Sequence, residues 1–379
     1  MISEPVVTNI TYDSDVTKFI LGNTNVSYAN ALRRTILADI PTVVFITTPH
    51  EDNKATFITN TSQMHNEILK QRLSCIPIHI DASSDIRDNL KNYIVEVDVE
   101  NKTNTIMYVT TKDFKIKDLT TGNYLEESIT RQIFPPYIPP SGSGEYFIDF
   151  AVLSPSISEE FGGEKLHFTS EMSVATARDN SMYNVVGTCS YGCTQDVEKV
   201  EIELNKQIQK WKDKSMSKEE IEFEVKNWKN LEAHRCILKD SFNFVIETVG
   251  VYDNNYIISK SCKIIIDKFM ELNTHIDNDT LPIATSNNIL ENCYDITLVN
   301  EDYTIGNILN YEIYDLFYNE LKLVDYVGFN KIHPHSADSI IRVSLTDKTQ
   351  SVDNVKTILK KCVERSVKKL TIINKYFDK

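Results

Sequence analysis

Few side chains in this chain are spaced for covalent or metal chemistry. Cys189 and Cys193 flank Ser190, Tyr191 and Gly192, a spacing that a zinc ion can use, but a structural zinc site takes four ligands and no second pair follows. His333-Pro334-His335 has the look of a metal turn and equally lacks further ligands, so it is expected to be a packed turn. His65 and Glu67 offer an imidazole and a carboxylate; their place ahead of Pro77 favours a structural role in fixing that loop. A cysteine hydrolase would need Cys75 or Cys193 beside an activating histidine, and would lose activity on Cys→Ala at that position. The chain has no G-x-x-x-x-G-K-[ST] phosphate cradle, G-x-S-x-G nucleophile turn or H-E-x-x-H metal helix. The Asp-rich metal loop of nucleotide addition is absent as well. No catalytic residue, metal ligand or cofactor is therefore expected. Arg33 and Arg34 sit together beside an apolar helix stripe, either as a solvated helix edge or as guanidinium forks for carboxylate and backbone contacts.

The elements that must carry these groups follow from periodicity. Val26, Ala29, Leu32, Ile36 and Leu37 recur at helical spacing, Asn25 is placed to cap that helix, and Pro41 to stop it. Strands are expected at 43–47 and 56–59, and a helix over Ser62–Leu73. From 81 to about 165 the pattern is strands and loops: an alternating run at 93–99, short strands at 106–110 and 114–116, and a Pro- and Gly-rich connection at 134–144. Strands are expected again at 166–177, 183–190 and 242–249, and a helix over 257–272. Residues 196–236 are rich in Lys and Glu with interspersed Ile, Val and Trp, the pattern of exposed helices broken near 214–217. Residues 273–289 look like a polar linker. The last block opens with a strand at 294–299, Thr304 as a helix cap, and a helix carrying Ile305, Ile308, Leu309, Leu316 and Leu321. A turn around Gly328, a strand at 340–345 and a helix from about Val352 complete it.

At 379 residues the chain has room for about two or three domains. Hydrophobic residues make up 41%, which excludes a mainly disordered protein. The net charge of −14 excludes a bulk nucleic-acid coat or a polybasic membrane binder. That charge is uneven: residues 291–379 carry a net −1, and within them residues 356–379 hold eight Lys or Arg against Glu364 and Asp378. Seven cysteines, an odd number in a long chain, argue against a disulfide framework. The start Met-Ile-Ser-Glu-Pro has no signal-peptide pattern, and no apolar run reaches the roughly 18–20 residues of a membrane span, so an intracellular protein with reduced thiols is expected.

Three clusters decide among function classes. The first runs Val26-Ser-Tyr-Ala-Asn30-Ala-Leu32-Arg33-Arg34-Thr-Ile-Leu-Ala-Asp39-Ile-Pro41. The second runs Asn60-Thr-Ser62-Gln-Met-His65-Asn-Glu67-Ile-Leu-Lys-Gln-Arg72-Leu-Ser-Cys-Ile-Pro77. The third is Glu301-Asp302-Tyr-Thr304-Ile-Gly306-Asn307-Ile-Leu309, followed by Val327-Gly328-Phe329 and His333-Pro334-His335. The first two resemble the larger alpha-like subunit of multisubunit DNA-dependent RNA polymerases, and the third resembles its smaller partner. Phe244-Val-Ile-Glu247-Thr-Val-Gly250 resembles the closing strand of the larger subunit. Ser27–Leu32 and Thr304–Leu309 share an S/T-x-small-Asn-x-Leu pattern. The chain therefore resembles both partners joined in tandem, an arrangement of the kind found in nucleocytoplasmic large DNA viruses. Heavy use of Asn, Ile, Lys and Tyr agrees with an AT-rich source.

The resemblance implies an α+β fold with two related strand-helix dimerisation units paired within one chain. The larger unit would comprise 1–45 and 165–289, with a charged helical insertion at 196–240; a β-rich inserted domain would occupy 46–164, and the smaller unit 290–379. Joining the units raises their effective concentration to the order of millimolar. The implied role is a non-catalytic assembly platform that docks the largest and second-largest polymerase subunits, with small polymerase subunits as further partners, DNA reached only through the complex, and no membrane. Asn30, Arg33, Arg34, His65, Glu67 and Arg72 are the expected large-subunit interface. Leu32, Ile36, Leu37, Ile305, Asn307, Leu309, Leu316 and Leu359 are the expected intramolecular dimerisation residues. The family's cysteine-rich zinc loop and iron–sulfur ligands have no counterpart, since no cysteine lies between Cys75 and Cys189. The expected location is the host cytoplasm and virion, or the nucleus of a cellular source. The alternative is an acidic sliding-clamp-like processivity factor, which would need basic helices in every lobe, whereas only the C-terminal one is clearly basic.

Overall fold

The computed structural model describes residues 4–80, 85–156, 162–286, 292–347 and 351–378. The chain opens with a hairpin, β1 (Val6–Asp13) and β2 (Val16–Gly22), turned by Ser14 at a φ of +49°. α1 (Val26–Ala38) follows, and the Asn25 carboxamide accepts the Ser27 N–H at 2.9 Å as the sequence predicts. Next come β3 (Thr42–Val44), β4 (Ala55–Asn60), α2 (Asn66–Ser74), the short α3 (Asp85–Asp88), β5 (Tyr93–Glu100), β6 (Met107–Thr110) and β7 (Lys115–Asp118). α4 (Glu127–Ile133), β8 (Asp149–Leu153), β9 (Lys165–Glu171) and β10 (Ser173–Ala175) continue the chain. β11 (Val186–Gln195) leads into α5 (Val197–Asp213) and α6 (Lys218–Asn230), and then β12 (Ile237–Thr248) and α7 (Asn254–Asp277). The last stretch is β13 (Ile283–Thr285), β14 (Cys293–Leu298), α8 (Tyr303–Ile313), a π-helical turn at Tyr314–Glu320, β15 (Val324–Asn330), β16 (Ser339–Leu345) and α9 (Val352–Asn374).

Two compact units account for these elements. One comprises Met1–Ile36, Val186–Glu247 and Asn254–Lys379; the other comprises Leu37–Val185 and Thr248–Asp253.

The first unit holds two four-stranded sheets, ordered β1-β2-β12-β11 and β13-β14-β16-β15. In the first sheet Phe19 faces Phe244 in register, the rings stack at 4.9 Å, and Phe377 closes over Phe19 at 5.0 Å. α1 buries Ser27, Tyr28, Ala29, Ala31, Leu32, Thr35 and Ile36. α8 buries Thr304, Ile305, Gly306, Ile308, Leu309, Glu312 and Ile313, at identical intervals. Each helix is entered through an asparagine at positive φ, Asn23 at +54° and Asn300 at +55°. Thr304, expected as the cap of α8, is instead the residue capped: the Asp302 carboxylate accepts its N–H at 2.9 Å, because Asp302 has the extended backbone a cap needs. Gly328 lies inside β15 opposite Arg342, not in a turn, and the Tyr326 side chain crosses the space a Cβ would take. α8 gives way to the π-helical turn before Leu316, and Leu321 is exposed. α7 runs five residues past its expected end at 272, and β13 pairs with β14, so the stretch expected as a linker carries regular structure at both ends of its described part. Residues 287–289 of it lie outside the described residues.

α9 packs along α7. Its basic face meets acids of the same unit: Lys356 reaches Asp279 at 2.6 Å, Lys360 reaches Asp277 at 2.5 Å, and Lys368 reaches Glu4 at 3.2 Å. α5 and α6 form the expected exposed helices; neither buries a residue. Their break is set by Ser215 at a φ of +58° and by a Ser217–Glu220 capping box.

The second unit is β-rich, with a sheet ordered β4-β9-β5-β7 and two-stranded pairs β6-β8 and β3-β10. Phe114 anchors its core, meeting Phe134, Phe150 and Phe168 edge-on at 5.3, 5.6 and 5.9 Å. α2 begins four residues later than its expected start at Ser62. Residues 62–66 are instead wound around Asn60, whose carboxamide accepts from Ser62 and donates to the Met64 carbonyl and to Asn66. The strand expected from Tyr183 starts at Val186, after a short turn over Ser181–Tyr183.

Candidate helix-contact site

α1 presents Tyr28 to α8 and α9. Tyr28 is fully buried, and its hydroxyl donates to Glu312 Oε1 at 2.7 Å and lies 3.3 Å from Ser366 Oγ. Lys369 Nζ donates to the same Glu312 oxygen at 2.6 Å, and both side chains are shut off from water. The ammonium also sits 5.2 Å from the Tyr28 ring centroid and 5.3 Å from that of Tyr311. Arg365 Nε lies 2.7 Å from Glu312 Oε2, an ion pair by distance whose N–H is not aimed at the oxygen; another guanidinium nitrogen donates to Asp315 at 2.7 Å. A buried carboxylate is tolerable only when charges and donors surround it in this way. Burial, and then the Glu312 charge, push the Tyr28 hydroxyl well above the usual tyrosine range. The same two causes raise the Cys362 thiol.

At the other end of α1, Arg34 Nε donates to Thr304 Oγ1 at 3.0 Å and a terminal nitrogen donates to Asp302 at 2.5 Å. Lys268 of α7 pairs with Glu301 at 3.3 Å just before α8. Arg33 points elsewhere: its guanidinium donates twice to the Asn30 carboxamide, at 3.1 and 2.9 Å, and stays half-exposed. Its charge acts on Cys189 and Tyr191 of β11. Burial still pushes the Cys189 thiol up to about 12, while Cys193 is exposed.

Of the residues expected in intramolecular contacts, Leu32, Ile36, Ile305, Leu309 and Leu359 are buried in the first unit, and Asn307 and Leu316 are half-buried. Leu37 is half-buried and belongs to the second unit. Also in the second unit, His65 and Glu67 are exposed at the start of α2. Arg72 is tied to the β8 backbone, donating to the carbonyls of Phe150 at 2.9 Å and Asp149 at 2.5 Å. His333 and His335 pack against each other at 4.9 Å in an exposed turn. Among the described residues, no three His, Cys, Asp or Glu side chains converge as metal ligands, and no helix is long and apolar enough to cross a membrane.

Sequence reasoning missed Tyr28, Glu312, Arg365, Lys369 and Asp302 as partners. A signal was present: Glu312 and Lys369 fall at apolar intervals of α8 and α9, where a lone charge is costly and two charges imply a mate.

These contacts define a mixed helix-and-strand scaffold in which buried polar groups join helices distant in sequence. Residues 18–269 match the family described as the RNA polymerase Rpb3/Rpb11 dimerisation domain, and the chain belongs to that family. It is similar to DNA-directed RNA polymerase subunit Rpo3 of Pyrococcus furiosus, with 41% identity over 64 residues, 17% of this chain and 22% of that protein. The same subunit of Thermococcus kodakarensis is 39% identical over 64 residues, with the same shares covered. That of Pyrococcus horikoshii is 33% identical over 96 residues, 25% of this chain and 34% of that protein. The chain thus spans about a fifth to a third of the length of these curated relatives.

Proposed function

We propose that the chain is a non-catalytic assembly-platform subunit of a DNA-dependent RNA polymerase, with the larger and smaller alpha-like partners joined in one polypeptide. The family match over 18–269 carries this reading. Two related dimerisation units, one holding α1 and α7 and the other α8 and α9, pair with each other, and a β-rich domain is inserted in the first. The identical burial intervals of α1 and α8 and the contacts of Tyr28 and Arg34 support the pairing. The paired units form the base on which the largest and second-largest subunits dock, with small polymerase subunits alongside and DNA reached through the complex. The pairing of α9 lysines with Asp277 at the end of α7 and Asp279 just beyond it supports this over a clamp-like grip on DNA. The joined arrangement favours a large DNA virus as source, with function in the host cytoplasm and virion, or in the nucleus of a cellular source.

Two patches, each on its own unit, serve the docking: Asn30, Arg33 and Arg34 on the first, and His65, Glu67 and Arg72 on the second. Arg34 is also engaged with Asp302, so reversing its charge would disturb the fold as well as the interface. Arg33 separates the two effects. Arg33→Glu should leave the far-UV spectrum and thermal midpoint of the isolated chain near those of wild type, while at least tenfold more chain is needed to capture the second-largest subunit, the factor of about 1.4 kcal/mol. Unimpaired capture removes Arg33 from the interface.

A further inference from the structure

The two halves of the proposed pair are built alike but are polar at different positions. Stepping through α1 and α8 from their caps, Tyr28 corresponds to Ile305 and Thr35 to Glu312, each pair buried at the same interval. In α7, the buried Cys262, Ile265, Phe269, Leu272 and Ile276 fall at the intervals of Leu359, Cys362, Ser366, Lys369 and Ile373 in α9. One contact therefore sets Tyr28 among Glu312, Ser366 and Lys369, with hydrogen bonds at 2.7 and 2.6 Å and the ammonium over the ring. The corresponding groups at the other contact are Ile305, Thr35, Phe269 and Leu272, and Ile305 and Leu272 line a cavity of about 280 Å³.

We propose that Tyr28 and its partners Glu312 and Lys369 are a pairing key that directs the amino-terminal unit onto the carboxyl-terminal unit of the same chain and excludes pairing of like units between two copies. The inference rests on the reading of the chain as two paired units. In a pair of like carboxyl-terminal units, Glu312 and Lys369 would face Ile305 in place of Tyr28, and the carboxylate would lose its hydroxyl donor in a buried setting. In a pair of like amino-terminal units, the Tyr28 hydroxyl would face Thr35, Phe269 and Leu272 and exchange its carboxylate acceptor for a neutral hydroxyl in a buried setting. Each wrong pair leaves a polar group poorly matched, so the key acts chiefly by penalising the alternatives.

Exchanging the key tests this on the full chain. Tyr28→Ile with Ile305→Tyr makes both like-with-like pairs matched and both unlike pairs mismatched; the cavity beside Ile305 gives the new ring room. Native mass spectrometry and light scattering at tens of micromolar chain should find wild type, Tyr28→Ile and Ile305→Tyr at single-chain mass. In the double exchange the dimer fraction should rise by about tenfold or more. Moving the charged half instead, Glu312→Thr and Lys369→Leu together with Thr35→Glu and Leu272→Lys, matches the like pairs by a second route and should likewise raise self-association. Either exchange that folds and stays single-chain overturns the key. A wild-type chain that is itself a dimer overturns the underlying reading of pairing within one chain.

Discussion

Removing the members of the Glu312–Lys369 pair one at a time and together gives a distinctive pattern of costs. Both residues are almost fully buried, at 0% and 1% exposure, and their charged atoms are 2.6 Å apart. At an effective dielectric near 20, opposite unit charges at that distance attract by roughly 6 kcal/mol, most of which offsets the loss of hydration. Lys369→Met leaves Glu312 with the Tyr28 hydroxyl and the adjacent Arg365, so its cost should sit at the low end for a broken buried pair, about 3 kcal/mol. Glu312→Leu leaves the Lys369 ammonium facing two aromatic rings with no anion, at about 4 kcal/mol. The double replacement removes both charges and fills the space with apolar groups. Tyr28 keeps Ser366 and Arg365 keeps Asp315, so the double variant should be no less stable than Glu312→Leu alone. The double change therefore falls short of the summed single effects by about 3 kcal/mol, the coupling expected of groups in direct contact. Urea unfolding followed by far-UV circular dichroism reads these values from the transition midpoints. Strictly additive costs would refute the pair as the organising contact of the three helices.

Two further outcomes follow from the packing and the titrating groups. Gly306→Ala gains about 1 kcal/mol of helix propensity, yet its Cβ would enter the Phe329 ring; with overpacking costing roughly 1–3 kcal/mol, the urea midpoint should fall, by the equivalent of about 1 kcal/mol. In the second unit, burial lowers the His79 pKa below its ordinary 6.5, partly opposed by a backbone bond to Gly250. The unfolded chain therefore takes up that proton first as the pH falls; the contribution of His79 to stability is complete above about 6.5 and is lost as the pH drops through the lower, folded value. His79→Gln should flatten the dependence of the second unit's thermal midpoint on pH across that window, and an unchanged slope would assign it to other groups.

Most of the elements were legible in the sequence because their apolar residues keep strict intervals. α1, α9 and the pair α5–α6 lie close to where periodicity and caps put them. The misplacements have local causes. Asn60 organises residues 62–66 through side-chain bonds that no periodicity reports. Asp302 outcompetes Thr304 as a cap because a cap is chosen by backbone conformation as well as side chain. Gly328 lies under the Tyr326 side chain, whose hydroxyl would meet a Cβ there, a matter of packing and not of a turn. The candidate site was legible in part: Arg33 and Arg34 stood out as a pair, but only the fold separates Arg34, which reaches Asp302, from Arg33, which bonds Asn30 of its own helix. The Tyr28 cluster joins residues 284 and 338 positions apart, a distance no local pattern spans.

The platform reading meets its most direct test in tagged purification of the full chain from its native source, with mass spectrometry of what accompanies it. The largest and second-largest polymerase subunits should accompany the wild-type chain in near-stoichiometric amounts, and the second-largest should be depleted with Arg33→Glu. A wild-type chain recovered without either large subunit would contradict it.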